Sequence, residues 1–365
     1  MIRVIAQWAR ALPLLCAIGA LAGCAATPDK AKTDAQSFVF YPERPDPPRV
    51  QHLATFSAAK DVAQRGGFAD FVAGKEGTEE GLKRPYGAAL HAGRLYVADS
   101  RAGGVAVFDL AARKYYLIEG TGAGRLKRPI NVTIDADGTK YITDLGRNDI
   151  VVYDANERFV RALGDKGQFR PVDVLIVGDR LYVSDIEHNE VQVLDKRSGK
   201  LLFRFGTKEV HQPTNLAASP EGDIYVVETG DFRVSRFTAD GKLVSRFGEI
   251  GQTHGTFARP KGIATDRAGR VYVGDSAFQN VQIFDAQARP LVAFGSDKLN
   301  VPAGISIDYD NVDVFRAYAA PGFDIEYLIV VVSQFDPDKV DVFGFGRMRG
   351  VTYPPDEAPA TKPSK

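Results

Sequence analysis

The stretch Leu181-Tyr182-Val183-Ser184-Asp185 decides the fold, because a short apolar run that ends in an acid recurs along the chain. The tyrosine and the terminal acid return in four other places, which are Leu95-Tyr96-Val97-Ala98-Asp99, Lys140-Tyr141-Ile142-Thr143-Asp144, Ile224-Tyr225-Val226-Val227-Glu228 and Val271-Tyr272-Val273-Gly274-Asp275. Tyrosine and β-branched residues in runs of this length indicate β-strands. The chain is therefore a series of repeats that each contain such a strand.

A proline opens each repeat about 14 residues before the acid. The prolines are 44, 42, 42, 47 and 42 residues apart, at Pro85, Pro129, Pro171, Pro213, Pro260 and Pro302. A third strand begins six residues after each acid, at Val105, Ile150, Val191, Val234 and Val281, and a turn leads to a fourth. Repeats of this length with four strands are typical of propeller blades. We predict an all-β, six-bladed β-propeller.

The sixth repeat is irregular, and we expect the two chain ends to complete it. Its strands are predicted at 303–308, 328–333 and 340–345, with Gln334 at the position of the acid. The fourth strand is missing, and residues 49–56 can supply it, which would leave no open sheet edge. Residues 70–74 are predicted as an outer strand leading into the next blade. The excursion 309–326 is interpreted as a cap packed on the propeller, with a docking patch as the alternative.

The N-terminus has the layout of an export signal. Arg3 and Arg10 precede a short apolar run, and Leu21-Ala22-Gly23-Cys24 follows, which resembles a bacterial lipobox with Cys24 as the lipidated residue. We predict a signal peptide at 1–23, the lipidated cysteine and a proline-rich tether at 24–48, the propeller at 49–346 and a disordered tail at 347–365. The resemblance implies a lipid-anchored protein of the outer membrane, facing the periplasm or the cell surface.

Charge and cysteine content exclude several classes of function. Lysine plus arginine equals aspartate plus glutamate, at 46 each, so there is no strong field to attract nucleic acid. The two cysteines are Cys16, inside the predicted signal, and Cys24. The mature chain therefore has no disulfide and no cysteine metal site. No nucleophile-elbow, zinc-protease, P-loop or dinucleotide motif is present.

These repeats resemble the NHL family, in which a proline, a glycine two residues later and a Y-V-x-D strand recur. The likeness covers about residues 49–346, and with the lipobox it is similar to bacterial exported six-bladed NHL lipoproteins. The resemblance implies an association with multihaem cytochromes, which makes an accessory role in envelope electron transfer one alternative. The chain has no haem-attachment motif of its own.

Arginines precede four of the six prolines, at Arg84, Arg128, Arg170 and Arg259, whereas Gln212 and Val301 precede the other two. The four arginine repeats are also the four that carry aspartate at the strand end. One interpretation is structural Arg–Asp pairing with bidentate geometry, which would fail if the guanidinium groups lay far from those carboxylates. The other is a basic collar for an anionic ligand, with His211 on the same face.

The position two residues after each proline is Gly87, Gly262 and Gly304 in three repeats, but Asn131, Asp173 and Asn215 in three consecutive ones. These oxygen-bearing side chains could converge at the channel mouth and hold Ca²⁺ or a polar ligand. Calcium-dependent six-bladed lactonases place their ion in a comparable spot. The alternative is a backbone requirement for positive φ, which glycine, asparagine and aspartate tolerate.

Three histidines, His188, His211 and His254, should lie on one face of the disc. The zinc-dependent amidating lyases have this type of repeat, so these histidines are a second metal hypothesis. The favoured function is nonetheless non-catalytic: a tethered disc that recognises an envelope protein, peptide or glycan. A Ca²⁺- or Zn²⁺-dependent hydrolase or lyase is the alternative. The sequence does not identify the ligand or the oligomeric state.

Overall fold

The computed structural model describes residues 38–62, 80–335 and 337–353 as a ring of six antiparallel sheets. The predicted lipobox at Cys24, the signal peptide, the predicted strand at 70–74 and the end of the tail lie outside these residues. Among the described residues, no helix has the length and apolar character needed to cross a membrane.

Each of the first five blades is a four-stranded meander with its strands in chain order. Blades one to three consist of β3 (Pro85–His91), β4 (Arg94–Asp99), β5 (Gly104–Asp109), β6 (Lys114–Ile118); β7 (Pro129–Ile134), β8 (Lys140–Asp144), β9 (Asp149–Tyr153), β10 (Phe159–Leu163); and β11 (Pro171–Val177), β12 (Arg180–Asp185), β13 (Glu190–Asp195), β14 (Leu201–Phe205). Blades four and five consist of β15 (Pro213–Ala218), β16 (Ile224–Glu228), β17 (Arg233–Phe237), β18 (Leu243–Phe247); and β19 (Pro260–Thr265), β20 (Val271–Asp275), β21 (Asn280–Phe284), β22 (Pro290–Phe294). The predicted six-bladed propeller is confirmed.

Blade six joins the two ends of the described chain, as predicted. It contains β23 (Pro302–Asp308), β24 (Phe323–Ser333) and β25 (Val340–Met348), and β2 (Val50–Phe56) pairs with β25 as the fourth strand. The short strand β1 (Phe40–Tyr41) adds a fifth. Pro302 is paired with Ser333, whereas the other prolines are paired with the terminal acids. The position of the acid is therefore Ser333, and the alignment on Gln334 is wrong by one residue.

The boundaries of the propeller extend beyond the predicted 49–346 at both ends. Tyr41 is buried, and its hydroxyl donates to the Asp297 carboxylate. The Phe40 ring lies 5.5 Å from that of Phe323. At the other end, the hydroxyl of Tyr353 donates to the carbonyl of Pro48 at 2.8 Å. Aromatic side chains therefore attach residues that composition alone assigns to an extended tether and a tail.

Both faces of each blade are buried, because neighbouring blades pack face to face. In blade three, Leu181 and Val183 pack with the side chains of blade two, whereas Tyr182 packs with those of blade four. Successive residues of a strand point to opposite sides, so a run of apolar residues covers both faces at once. This is why the deciding stretch lacks the apolar–polar alternation of a half-exposed strand.

The excursion between β23 and β24 packs against the propeller, in agreement with the cap interpretation. It contains helix α1 (Val312–Phe315) and a 3₁₀ turn at Arg316–Tyr318. Phe315 is fully buried, and its ring lies 6.2 Å from that of Phe56. The side chain of Gln51 donates to the carbonyl of Tyr318 at 3.1 Å. The excursion thereby covers the blade in which the chain ends meet.

Candidate functional site: the loop face around the channel

The loop face is the side of the disc where each blade receives its innermost strand and turns from its second to its third strand. Antiparallel pairing brings the residues before each proline and those after each terminal acid to this side. We name three sets of residues on it. The rim arginines are Arg84, Arg128, Arg170 and Arg259; the mouth ring is Tyr86, Ile130, Val172, Thr214, Lys261 and Ala303; the channel ring is Gly87, Asn131, Asp173, Asn215, Gly262 and Gly304.

The terminal aspartates bind backbone amides and not guanidinium groups. Asp144 accepts from the amides of Lys127 and Arg128 at 2.7 and 2.9 Å, and from those of Gly146 and Arg147 at 2.8 and 3.1 Å. Three further aspartates accept from the amide of the rim arginine in their own blade, at 3.0 to 3.1 Å: Asp99, Asp185 and Asp275. The prediction of bidentate Arg–Asp pairing is therefore wrong.

The rim arginines are consequently exposed on the loop face. The guanidinium group of Arg128 makes one long contact, at 3.4 Å to the carbonyl of Leu145. That of Arg84 lies 5.3 Å from the centre of the Phe335 ring, which is itself 48% exposed. Within the part of the chain that the structure describes, none of the four forms an ion pair with the aspartate of its blade. The collar interpretation is the one that this geometry allows.

The two blades without a rim arginine differ in backbone conformation before the proline. Gln212 and Val301 have φ of 49° and 55°, which no rim arginine shares. In blade four the longer acid Glu228 accepts from the amide of His211, at 3.1 Å. In blade six Ser333 replaces the acid. The four blades that carry both arginine and aspartate therefore also lack the positive φ that the other two blades show before the proline.

The mouth ring closes the entrance of the channel. Tyr86, Ile130, Val172 and Ala303 are buried and pack against one another. The Tyr86 hydroxyl reaches from blade one to blade four, on the other side of the ring, and donates to Oδ1 of Asn215 at 3.2 Å. Burial raises the pKa of Tyr86 well above its ordinary value, so the hydroxyl keeps its proton. The entrance is a packed surface and not an open pore.

The channel ring has polar side chains in blades two, three and four, which form a hydrogen-bond network, and glycines in the other three blades. Nδ2 of Asn131 donates to Oδ1 of Asp173 at 2.5 Å, and the amides of Val174 and Leu216 donate to the same carboxylate at 2.7 and 2.8 Å. Burial raises the pKa of Asp173 to about 6, and these hydrogen bonds oppose the rise. Oδ1 of Asn131 accepts from the amide of Val132.

This network fits a calcium ion poorly. Ca²⁺ needs six to eight oxygen ligands that are turned toward it. Both carboxylate oxygens of Asp173 instead face N–H groups, and the side-chain oxygens of Asn131 and Asn215 are also engaged. The arrangement is that of a buried carboxyl group stabilised by donors.

The positive-φ explanation of the channel ring is wrong as well, because none of its six residues has positive φ. Close approach explains the glycines. A Cβ on Gly87 would lie 1.7 Å from Oδ1 of Asn131, and one on Gly304 would lie 2.4 Å from the carbonyl of Tyr86. The strands of blades five, six and one therefore approach too closely for side chains there.

Lys261 is a mouth residue that sequence analysis missed. It is 9% exposed, and its Nζ donates to Oε1 of Gln334 at 2.8 Å. Burial, together with the nearby charges of Arg259 and Arg84, lowers its pKa to about 8. Three cations thus gather on one side of the mouth. The sequence did contain a signal for this residue. The position directly after the opening proline is mostly apolar in the other repeats, whereas it is Lys261 in the fifth.

The three predicted zinc-binding histidines do not form one site. Nδ1 of His188 lies 2.6 Å from Oδ2 of Asp185, and Nδ1 of His211 lies 3.1 Å from Oδ1 of Asp231. His254 is exposed in the connection between blades four and five. Within the described ranges, the one group of metal-ligating side chains is Asp185, His188 and Glu190.

Comparison with known proteins supports the fold. No known protein-family profile matches the chain. A 99-residue segment is 27% identical to Protein brain tumor of Drosophila melanogaster, and the match covers 27% of this chain and 10% of that protein. The chain thus spans about a tenth of the length of this curated relative. The match is a weak NHL-like similarity.

Solved structures with the same architecture include enzymes and binding proteins. A gluconolactonase from Xanthomonas campestris is 17% identical, with a TM-score of 0.56 over 82% of this chain and 95% of that one. A virginiamycin B lyase from Staphylococcus aureus is 14% identical, with a TM-score of 0.52 over 72% of this chain and 95% of that one. A chain of a nidogen/laminin complex is 18% identical, with a TM-score of 0.52 over 62% of this chain and 85% of that one. At these identities the likeness shows the fold alone.

Proposed function

We propose that the protein is a non-catalytic recognition propeller whose loop face binds a carboxylate-rich partner in the cell envelope. The observation that carries this proposal is the set of four exposed rim arginines around a closed mouth. Each has its backbone amide, and not its guanidinium group, bonded to the local aspartate. Guanidinium groups bind carboxylates in a bidentate manner, so the collar suits an acidic peptide segment or an anionic glycan.

The closed mouth favours binding over catalysis. A catalytic site is usually a concave pocket with titratable groups that face the substrate. Here the perturbed carboxyl group, Asp173, is 5% exposed and lies beneath the mouth ring. Lys261 and the exposed Phe335 ring lie near the rim cations. The mouth therefore offers charge and an aromatic surface to a ligand.

The test of this proposal is binding of two labelled carboxylate probes, a poly-glutamate peptide and an oligogalacturonate, measured by fluorescence anisotropy at low and high salt. Replacement of all four rim arginines by glutamine should weaken binding on the order of ten-fold or more, because charge-assisted hydrogen bonds are lost. High salt should also weaken it, since exposed charges are screened. The preferred probe distinguishes a peptide partner from a glycan.

A matched control replaces four exposed arginines on the opposite face, Arg113, Arg158, Arg197 and Arg267, by glutamine. This variant has the same net charge as the rim variant, and its binding should be unchanged. Equal losses in the two variants would contradict recognition by the loop face, as would absence of binding at low salt. Metal-dependent hydrolysis of a lactone by the same preparation would contradict a non-catalytic role.

Lipid attachment at Cys24 is a separate part of the proposal, and it is supported by the lipobox-like sequence. Cys24→Ser should remove incorporation of labelled palmitate in a bacterial host and move the protein from the membrane fraction to the soluble fraction. An unchanged membrane fraction in this variant would contradict the anchor. The binding assay does not depend on this outcome.

A further inference from the structure

Blade three carries a second group of polar side chains, at the turn between β12 and β13. We call Asp185, His188 and Glu190 the turn cluster. One ligand atom from each residue lies within 4.8 Å of the other two. Asp185 and Glu190 are 0% and 4% exposed, whereas the His188 side chain is 45% exposed. The cluster therefore places two buried carboxylates below one accessible imidazole.

The cluster contains more acceptors than donors. Nε2 of Gln192 lies 3.2 Å from Oδ2 of Asp185, 2.9 Å from Oε1 of Glu190 and 2.8 Å from the carbonyl of Gln168. An amide nitrogen carries only two hydrogens, so the three acceptors cannot all receive one. Oδ2 of Asp185 and Oε1 of Glu190 therefore compete for this donor, and their other side-chain partners are the His188 imidazole and the Arg204 guanidinium group. A cation held between the two buried carboxylates would neutralise both.

The other blades show that the turn does not require this chemistry. Blade two has Arg147 and Asp149 at the corresponding positions, and these two form an ion pair at 2.9 Å. Blade five has Phe278 and Asn280 there. Blade three shares its terminal aspartate with blades one, two and five, but histidine and glutamate at these two positions are specific to blade three. Their presence therefore needs an explanation other than the fold.

The cluster also has access to solvent. A groove of about 550 Å³ nearby is lined by residues that include Gln168 and Arg204. Nε2 of Gln168 donates to Oε1 of Gln192 at 3.2 Å, and Nε of Arg204 lies 3.5 Å from Oε1 of Glu190. Two groove residues thus contact the cluster or its shared donor. The 45% exposed imidazole of His188 is the part of the cluster that solvent reaches directly.

We propose that Asp185, His188 and Glu190 bind one divalent transition-metal ion, for which zinc is the best match. One imidazole nitrogen and two carboxylate oxygens are ligands that Zn²⁺ accepts, and three protein ligands leave a fourth position for water. Calcium and magnesium, which prefer oxygen ligands alone, fit less well because of His188. This site lies apart from the channel ring and does not depend on the proposed carboxylate recognition.

Zinc and cobalt titrations of the purified full-length chain test this proposal. Calorimetry should give one zinc ion per chain, and Co²⁺ should give a visible absorption band that zinc abolishes. His188→Ala and the nearly isosteric Glu190→Gln should each weaken zinc binding by at least about ten-fold, since both remove a ligand. Circular dichroism and the thermal midpoint establish that both variants are folded.

His211→Ala is the matched control, because His211 also lies on the loop face beside a single carboxylate, that of Asp231. Its zinc affinity should equal that of the unchanged chain. The site would be overturned if zinc failed to bind, or if His188→Ala and Glu190→Gln bound zinc as tightly as the unchanged chain. If His211→Ala lost zinc while Glu190→Gln kept it, the ion would belong to a different set of ligands and the proposal would be wrong.

Discussion

At the scale of single residues, Asp173 is a buried carboxylate of the channel ring that accepts three hydrogen bonds. Its carboxylate accepts from the amides of Val174 and Leu216 and from the side chain of Asn131. These donors come from blades two, three and four. One side chain therefore links the innermost strands of three neighbouring blades.

Asp173→Ala should lower the free energy of unfolding by about 2–4 kcal/mol, because three buried donors lose their acceptor. Urea denaturation followed by circular dichroism measures this change. Asp165→Ala, at an exposed aspartate in the connection before blade three, is the control and should change it by less than about 0.5 kcal/mol. Equal effects in the two variants would show that the network does not stabilise the fold.

The same residue should make stability depend on pH. The pKa of Asp173 is about 6 in the folded protein and near the ordinary 3.8 in the unfolded chain, so the folded state holds the proton more tightly. Its contribution to the free energy of unfolding therefore falls as the pH rises from about 4 to about 6. The unchanged protein should exceed Asp173→Ala in free energy of unfolding by more at pH 4 than at pH 7. The two differences should themselves differ on the order of 2 kcal/mol. A difference that grows with pH would contradict this assignment.

At the scale of the element, each terminal aspartate ties two loops to the end of one strand. Asp144 accepts from amides before the proline and from amides of the following turn, and thus connects the entry of blade two with its second turn. The repeated acid is therefore a requirement of the blade. The arginine beside it is left exposed and available for a ligand.

Asp144→Ala should cost at least about 3 kcal/mol of unfolding free energy, since four amides lose a charged acceptor. Arg128→Ala in the same blade should cost less than about 0.5 kcal/mol, because its guanidinium group is exposed and makes one weak contact. Thermal denaturation of the two variants measures both values. A similar cost for both would restore the Arg–Asp pairing that the structure contradicts.

At the scale of the whole molecule, blade six holds the ring closed. Strand β2 pairs with β25, and Phe56 places its ring 5.6 Å from that of Phe108 in blade one. The cap contributes Phe315 to the same apolar cluster. The closure therefore depends on side chains that are far apart in the sequence.

Phe56→Ala should destabilise the protein by about 3–5 kcal/mol, because a buried ring at the junction of two blades and the cap is removed. Phe159→Ala, at a ring that is 37% exposed in blade two, should cost clearly less. In Phe56→Ala, backbone amide hydrogen exchange should also accelerate more in β25 than in blade three, relative to the unchanged protein. Uniform acceleration in all blades would indicate that the closure is no weaker than the rest of the ring.

Sequence analysis by itself determined the number of blades, the proline that opens each of them and the use of residues 49–56 to close the ring. These features are local and periodic, so the spacing of prolines, strands and acids is enough to show them. The tertiary structure alone decided the partners: backbone amides for Asp144, Asn215 for Tyr86 across the channel, Gln334 for Lys261 and Glu190 for the turn cluster. Such contacts join residues from different turns or blades, and their distances depend on how the ring packs, which no repeat pattern encodes.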